Sequence, residues 1–407
     1  MITATAAGDA AVLFDTDDPP AWLAAAIEAA ELPGVRDVVP GARTVLVIIE
    51  LGLIALDELA ATVSSLPVAQ PAAGETGLVE IPVIYDGPDL ADVAELAQMT
   101  VDEVIARHSG GLYEVGWLGF APGFGYLTGL DQGLAGVPRL ATPRLAVPAG
   151  SVAIAAGLAA VYPSQSPGGW RLLGRTTIRT WDVDREPAAL FTPGTKVRFF
   201  PDRTSHARPT ATAPRPLAEP QSTQTGPQLP SRSQAQAGRR IEVVRPGPFT
   251  TVQDLGRPGA AAIGVPPSGA ADSASLVTAN RLVGNPDGAA GIELTLGRAA
   301  LRCFGGLRLA VAGAPAAVTL AVDAAQPELA TDQVTVQIEF GSSFEVLDRG
   351  LVSIGAPTSG LRTYVAVAGG LATPTVLGSR SADVLSKLGG GALRPGDVLA
   401  VGSERRP

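Results

Sequence analysis

The chain has 407 residues, 46% hydrophobic and 17% charged, which is enough apolar material for about two to four buried domains. A formal charge of −9 argues against nucleic acid or an anionic membrane as the main partner. One cysteine (Cys303) and two histidines (His108 and His206) exclude a disulfide framework, a multi-cysteine metal site and a histidine-rich metal centre.

The start, Met1-Ile-Thr-Ala-Thr-Ala-Ala-Gly-Asp, has no basic and then apolar leader, and no later run reaches the length of a membrane span, so a cytoplasmic location is expected. Ala10 to Asp15 reads as a strand, and Asp17-Asp18-Pro19-Pro20 offers an N-cap and an early proline to a helix over Ala21–Glu31. Val35–Val39 and Thr44–Leu51 are β-rich runs joined at Pro40-Gly41, Leu56–Leu66 has helical spacing, and Gly77–Tyr85 alternates like a strand. A short helix over Asp89–Gln98 follows, and Thr100-Val-Asp-Glu103 is a capping box opening a helix that ends near His108. This βαββαβ-like order predicts a small ferredoxin-like α+β domain over 1–110.

From Gly111 the pattern changes to short β-runs between Pro/Gly turns, predicting a mostly β domain over 111–201 of barrel or sandwich type. The 48 glycines and 35 prolines fit such turn-rich structure better than a helical bundle. Residues 202–240 are rich in Pro, Ser, Thr, Gln and Ala and read as a flexible linker with an end-to-end distance of roughly 35 Å. His206 lies within it and is given no role. A second β-rich body spans 241–407, with Asp272 placed to cap a helix over Ser273–Leu282. Thr192-Pro-Gly-Thr-Lys-Val-Arg-Phe199 and Arg394-Pro-Gly-Asp-Val-Leu-Ala-Val401 echo each other as Pro-Gly turns leading into closing strands.

Two stretches concentrate the chemistry of the first part. Val115–Gly125 reads VGWLGFAPGFG, where Gly119, Phe120, Pro122, Gly123 and Phe124 form a bend that is costly unless the bend itself is needed. Tyr162–Arg171 reads YPSQSPGGWR, where Ser166, Gly168, Gly169 and Trp170 crowd recognition-type side chains among turn-formers, with Arg175 just beyond. The alternative for both is a structural β-turn. No P-loop, C-x-x-C, H-E-x-x-H or G-x-S-x-G run is present, so ATP, if used, must be held by other means. In the second part Asp254, Asp272 and Glu293 are carboxylates at strand ends or turns, suited to proton handling, and Arg257 and Arg362 are suited to anions. Each has a structural reading as well, a helix cap for Asp272 and an ion pair for Arg257 with Asp254. His108 is either a base or a favourable charge near a helix C-terminus, and Cys303 reads as core.

The motifs HSGGLYEVGWLGFAPGFGYLTGL, TPRLAVPAGSVAIAAG and YPSQSPGGWRLLGRT resemble the first component of the allophanate hydrolase / Kip-type kinase-inhibitor family, associated with the B component of bacterial ATP-dependent 5-oxoprolinase. PGPFTTVQDLGRPG, GVPPSGAADSASLVTANRLVGNP, GIELTLG, GLRTYVAVAGG and LGSRSAD resemble its companion, the C component. The resemblance implies a fusion of the two, with a ferredoxin-like N-domain followed by cyclophilin-like β-barrels. Gly125 stands where the family usually has proline. The C-like part stops near residue 402, where family members typically continue through a further half, so an active site shared between those halves is expected to be incomplete.

What the resemblance implies is ATP-dependent opening of 5-oxo-L-proline to L-glutamate with a LamB/YcsF-type A component, in a homo- or hetero-oligomer, with ATP bound by this chain or by the complex. Asp254, Asp272, Glu293 and His108 are the expected catalytic set. The substrate-binding set is Phe120, Pro122, Gly123, Phe124, Ser166, Gly168, Gly169, Trp170, Arg175, Arg257 and Arg362. Two alternatives stay open: a non-catalytic Kip-type regulator of a histidine kinase, and a carboxyltransferase-like module related to urea carboxylase or allophanate hydrolase. The latter would need an external biotin carrier, since the chain shows no M-K-type biotinylation sequence.

Overall fold

A computed structural model of the chain describes residues 2–69, 77–202, 238–322 and 334–404. The linker reading over 203–237, and His206 with it, falls outside the described residues. The described chain is mostly strand, 39% against 15% helix, as an α+β and largely β protein should be. Among the described residues, those up to 202 together with Pro258–Pro266 form one compact unit, and 238–257 with those from 267 onward form another.

The first unit begins with a four-stranded antiparallel sheet in the order Ile2–Ala6, Ala11–Thr16, Thr44–Ile49, Val35–Pro40. Strict alternation in Thr44–Ile49 buries Val45, Val47 and Ile49, and helices Pro20–Ala29 and Leu56–Ser64 cover that face through Leu23, Ile27, Leu59 and Val63. The first helix starts without a side-chain cap. Pro19 is its N-cap residue and Pro20 its first helical residue, where a missing N–H costs nothing, while Asp18 turns its amide to Thr16 Oγ1 at 3.1 Å. The sheet has the ferredoxin-like order, but its edge is filled by the N-terminal strand, not by a strand following the second helix.

The strand that the βαββαβ reading gives to that edge, Leu78–Val83, goes elsewhere. It pairs in parallel with Lys196–Pro201 and becomes one end of a seven-stranded sheet. From that end the order runs Lys196–Pro201, Tyr113–Leu118, Gly125–Thr128, Leu158–Val161, Ser151–Ala155, Arg171–Arg175. The two ends meet where Ile84 and Arg175 exchange backbone hydrogen bonds at 2.9 Å each, so the sheet is a nearly closed barrel. Closure explains why all five residues of Ser151–Ala155 are buried. The helix Val101–Gly110 lies against this sheet and starts with the expected capping box, in which Glu103 N donates to Thr100 Oγ1 and Thr100 N to Glu103 Oε2.

The second unit packs a six-stranded sheet (Val334–Ile338, Ala316–Val322, Leu351–Pro357, Ala299–Phe304, Arg240–Arg245, Val398–Ala400) against a five-stranded one (Phe249–Gln253, Gly291–Thr295, Arg362–Val367, Leu307–Gly313, Ser343–Val346). Their common core joins Ile241, Leu301, Cys303 and Val352 to Ile292, Leu309, Val365 and Val367. On the other face of the five-stranded sheet, Tyr364 and Ala366 meet Leu276 and Ala279 of the helix Ser273–Leu282 and Val283 at its C-terminal cap. That period-two alternation along Arg362–Val367 sets the site described below. The two echoing segments form the same turn, with Thr195 N donating to Thr192 O and Asp397 N to Arg394 O. One leads into an inner strand and the other into an edge strand.

Candidate functional site

In the first unit, strand Tyr113–Leu118 turns through Gly119–Phe124 and returns as Gly125–Thr128, with a bulge between Val115 and Trp117. The bulge brings Trp117 opposite Tyr126, and their rings stack at 4.8 Å. Phe124 is buried and edge-on to Phe120, Tyr126, Tyr162 and Trp170, with centroids 5.1 to 5.8 Å apart. Gly123 has φ +72°, and a Cβ there would come within 2.9 Å of Trp181 Cβ; a Cβ on Gly168 would come within 2.3 Å of Tyr162 Oη. The turn is therefore required by the packing behind it. Pro122, Gly123, Phe124 and Trp170 form that packing, whereas Phe120, at φ +67° and 61% exposed, presents its ring to solvent. Gly125, also buried, has its Cα so placed that a Cβ would meet the Phe191 ring at 2.8 Å.

Beside this cluster Arg139 lies over the Trp170 ring at 5.9 Å, Gly169 O accepts from Leu140 N, and Ser166 Oγ is shielded, with no partner among the described residues. The exposed Phe120 ring and the Arg139 cation suit contact with a small planar amide. Arg175 is not part of this group: its guanidinium pairs with Asp86 at 2.9 Å on the surface.

In the second unit the charged residues divide into two groups. Asp254, nearly buried, accepts from Gly256 N, Arg380 N, Ser379 Oγ and Ser381 Oγ at 2.5 to 2.8 Å. Arg257, 2% exposed, donates to Val376 O, Ser381 O and Ser268 Oγ. Burial pulls its pKa below the ordinary guanidinium range, while Asp254 and Asp383 hold it up. Both side chains tie the loop 376–383 to the loop 254–257 from nearly buried positions, which fits the structural reading of this pair and not the expectation of Asp254 as an accessible proton carrier and Arg257 as an open anion clamp.

Glu293, Arg362 and Tyr364 form the other group. Register places Glu293 opposite Tyr364 and Thr295 opposite Arg362, all on the face toward the helix Ser273–Leu282. Glu293 Oε2 accepts from Tyr364 Oη at 2.8 Å and Ala271 N at 2.9 Å, and Glu293 Oε1 lies 3.4 Å from Arg362 Nε. Tyr364 Oη also accepts from Asp272 N at 2.8 Å. Burial, with Glu293 adding to it, drives the phenol well above its usual range. Arg362 Nη1 donates to Thr295 Oγ1 at 2.6 Å. Asp272 caps its helix as expected, accepting from Ser275 N and Ser275 Oγ. A carboxylate sharing one proton line with a phenol can pass a proton between them. Sequence reasoning misses Tyr364, although a signal for it exists: Glu293/Thr295 and Arg362/Tyr364 each share a strand face by period two.

His108 is fully buried among Tyr85, Tyr113 and Phe199, with Nδ1 2.7 Å from Tyr85 Oη. Burial pushes its pKa down to about 3, so it is neutral and enclosed, neither an accessible base nor a helix-end charge. Cys303 is core, as expected, its thiol pushed up to about 12 by burial. Two open grooves in the second unit, one lined by Glu242, Arg302 and Gly396 and one by Arg298, Thr319 and Gly355, contain none of these residues. No described helix is long and apolar enough to cross a membrane.

Comparison with known proteins bears on both units. Residues 4–191 match the family model "Carboxyltransferase domain, subdomain C and D", and 263–407 match "Carboxyltransferase domain, subdomain A and B". The chain is 38% identical over 210 residues to the B component of the 5-oxoprolinase of Escherichia coli O157:H7, spanning 48% of this chain and 94% of that protein. It is 33% identical over 169 residues to the C component of the 5-oxoprolinase of Escherichia coli K12, spanning 41% of this chain but only half of that protein. A stretch covering 39% of the chain is 40% identical to 8% of the urea amidolyase of Lachancea kluyveri. The crystal structure of TTHA0988 superposes with a TM-score of 0.79 at 32% identity, covering 100% of this chain and 76% of that one.

Proposed function

The chain belongs to the carboxyltransferase-domain family, as a 5-oxoprolinase B-like part joined to a C-like part, and we propose that it is a component of an ATP-dependent amide or lactam hydrolase, specifically a 5-oxoprolinase working with a LamB/YcsF-type A component. The observation that carries this reading is the succession, in one chain, of counterparts to two proteins that share the name 5-oxoprolinase. A lactam carbonyl is a poor electrophile. Transfer of the γ-phosphoryl group of ATP to the carbonyl oxygen, releasing ADP, would make the ring carbon open to water. Water addition, cleavage of the C–N bond with protonation of nitrogen, and loss of phosphate would then give glutamate. In this scheme Glu293 and Tyr364 of the second unit manage the proton, and Arg362 holds Glu293 in place.

The test is glutamate release from 5-oxo-L-proline and ATP by the purified chain, alone and with the LamB/YcsF-type component added. Release that requires both proteins is the expected result; none in either mixture, with the chain folded, would remove the reading. A second reading, carboxyl transfer, is favoured by the urea amidolyase similarity. It expects instead a reaction that depends on a biotin carrier.

A further inference from the structure

The three arginines that the sequence marks for anion binding are all engaged: Arg175 by Asp86, Arg257 by three oxygen acceptors, and Arg362 by Glu293 and Thr295. One arginine of the same loops is not. In the turn Val376–Ser379 both central residues have positive φ, Leu377 at +50° and Gly378 at +79°, and Val376 and Ser379 exchange backbone hydrogen bonds. A leucine in that region is strained, and such strain persists only where the surroundings impose it. Here they do. Ser379 Oγ, Arg380 N and Ser381 Oγ all donate to Asp254, Val376 O and Ser381 O accept from Arg257, and Asp383 accepts from Ser268 Oγ and Ser386 N. Every polar side chain from 379 to 383 is thus used within the fold except one. The Arg380 side chain has no acceptor among the described residues, and its Nε is shielded from solvent.

A desolvated guanidinium nitrogen without a partner is costly, and a buried carboxylate, two serines and a second arginine are spent on fixing the backbone that carries it. We propose that Arg380 is the anion-binding residue of the second unit, its guanidinium taking a pair of oxygens from a ligand carboxylate or phosphoryl group. The planar fork suits both, and a preformed loop spares the ordering cost. Asp254 and Arg257 are then positioning residues acting through this loop. The inference rests on the hydrolase reading only for the choice of probes.

The experiment is calorimetric titration of the full chain with inorganic phosphate, ATP and 5-oxo-L-proline separately, repeated on Arg380→Ala and Arg380→Lys. At least one probe is expected to bind the wild-type chain, with about tenfold to a hundredfold weaker binding in Arg380→Ala and a smaller loss in Arg380→Lys. Phosphate and ATP binding without 5-oxo-L-proline binding identifies a phosphoryl site, and the reverse a carboxylate site. The melting temperature of Arg380→Ala should match or exceed wild type. The proposal is overturned if no probe binds, if Arg380→Ala binds as wild type, or if it melts as early as Arg257→Ala. Arg380-dependent phosphate binding in a chain that never supports glutamate release would keep this inference and remove the hydrolase reading.

Discussion

In the first unit the turn Gly119–Phe124 is held by rings, with Phe124 edge-on to four aromatic neighbours, whereas in the second the loops 254–257 and 376–383 are held by one carboxylate and one guanidinium. Ring packing is a sum of many weak contacts, and removing one leaves the others nearly intact. A buried charge that ties several donors is different, because removing it strands every group it satisfied. Side chains that look catalytic in sequence can therefore serve architecture.

The sharpest way to break this contrast is Asp254→Ala, which leaves two backbone amides and two hydroxyls without their acceptor. A loss of about 3–5 kcal/mol in denaturant unfolding is expected; a loss below about 1 kcal/mol would show that the hub contributes little. Gly168→Ala probes the ring side. The new methyl would sit 2.3 Å from Tyr162 Oη, so about 1–3 kcal/mol should be lost, while Gly136→Ala, which meets nothing within 4 Å, should change almost nothing.

His108 adds a pH signature to the first unit. Its folded pKa, about 3, lies below the ordinary 6.5, so the unfolded chain binds the proton first. Its contribution to stability is complete above the ordinary value and is lost as pH falls from there toward 3, by up to ~1.4 kcal/mol per pH unit. Unfolding curves of His108→Phe should be flatter across that window, and equal slopes for the two proteins would contradict the assignment. Arg175→Ala should cost little: the Arg175–Asp86 pair is half exposed on both sides, so less than about 1 kcal/mol should be lost, and less still in high salt.

Local rules make much of the fold legible. The capping box at Thr100, the Asp272 cap, the alternation of Thr44–Ile49 and the turn-rich β pattern after Gly111 each depend on residues close in sequence. Leu78–Val83 reads correctly as a strand but is assigned to the wrong sheet, because its partner Lys196–Pro201 lies over a hundred residues away and parallel pairing leaves no local mark. The inclusion of Pro258–Pro266 in the first unit is non-local in the same way, with Gly259 N donating to Asp37 Oδ1. For the site, Glu293 and Arg362 are visible as charges within apolar strands, but Tyr364 needs the register and Arg380 the knowledge that its neighbours are already paired. Residue type says what a group can do; only geometry says whether it is free to do it.

The charged residues of the second unit divide into a scaffold, Asp254 with Arg257, and a proposed working pair, Glu293 with Tyr364. The most direct test of this division measures unfolding free energy and glutamate release per folded chain, with the LamB/YcsF-type component present, for Asp254→Asn and Tyr364→Phe in parallel. The account expects Asp254→Asn to lose stability by the larger amount, with turnover per folded chain falling less than in Tyr364→Phe. It expects Tyr364→Phe to stay within about 1–2 kcal/mol of wild type, the scale of its hydrogen bonds, while losing most turnover. An Asp254→Asn protein of wild-type stability without turnover, beside a fully active Tyr364→Phe, would contradict it.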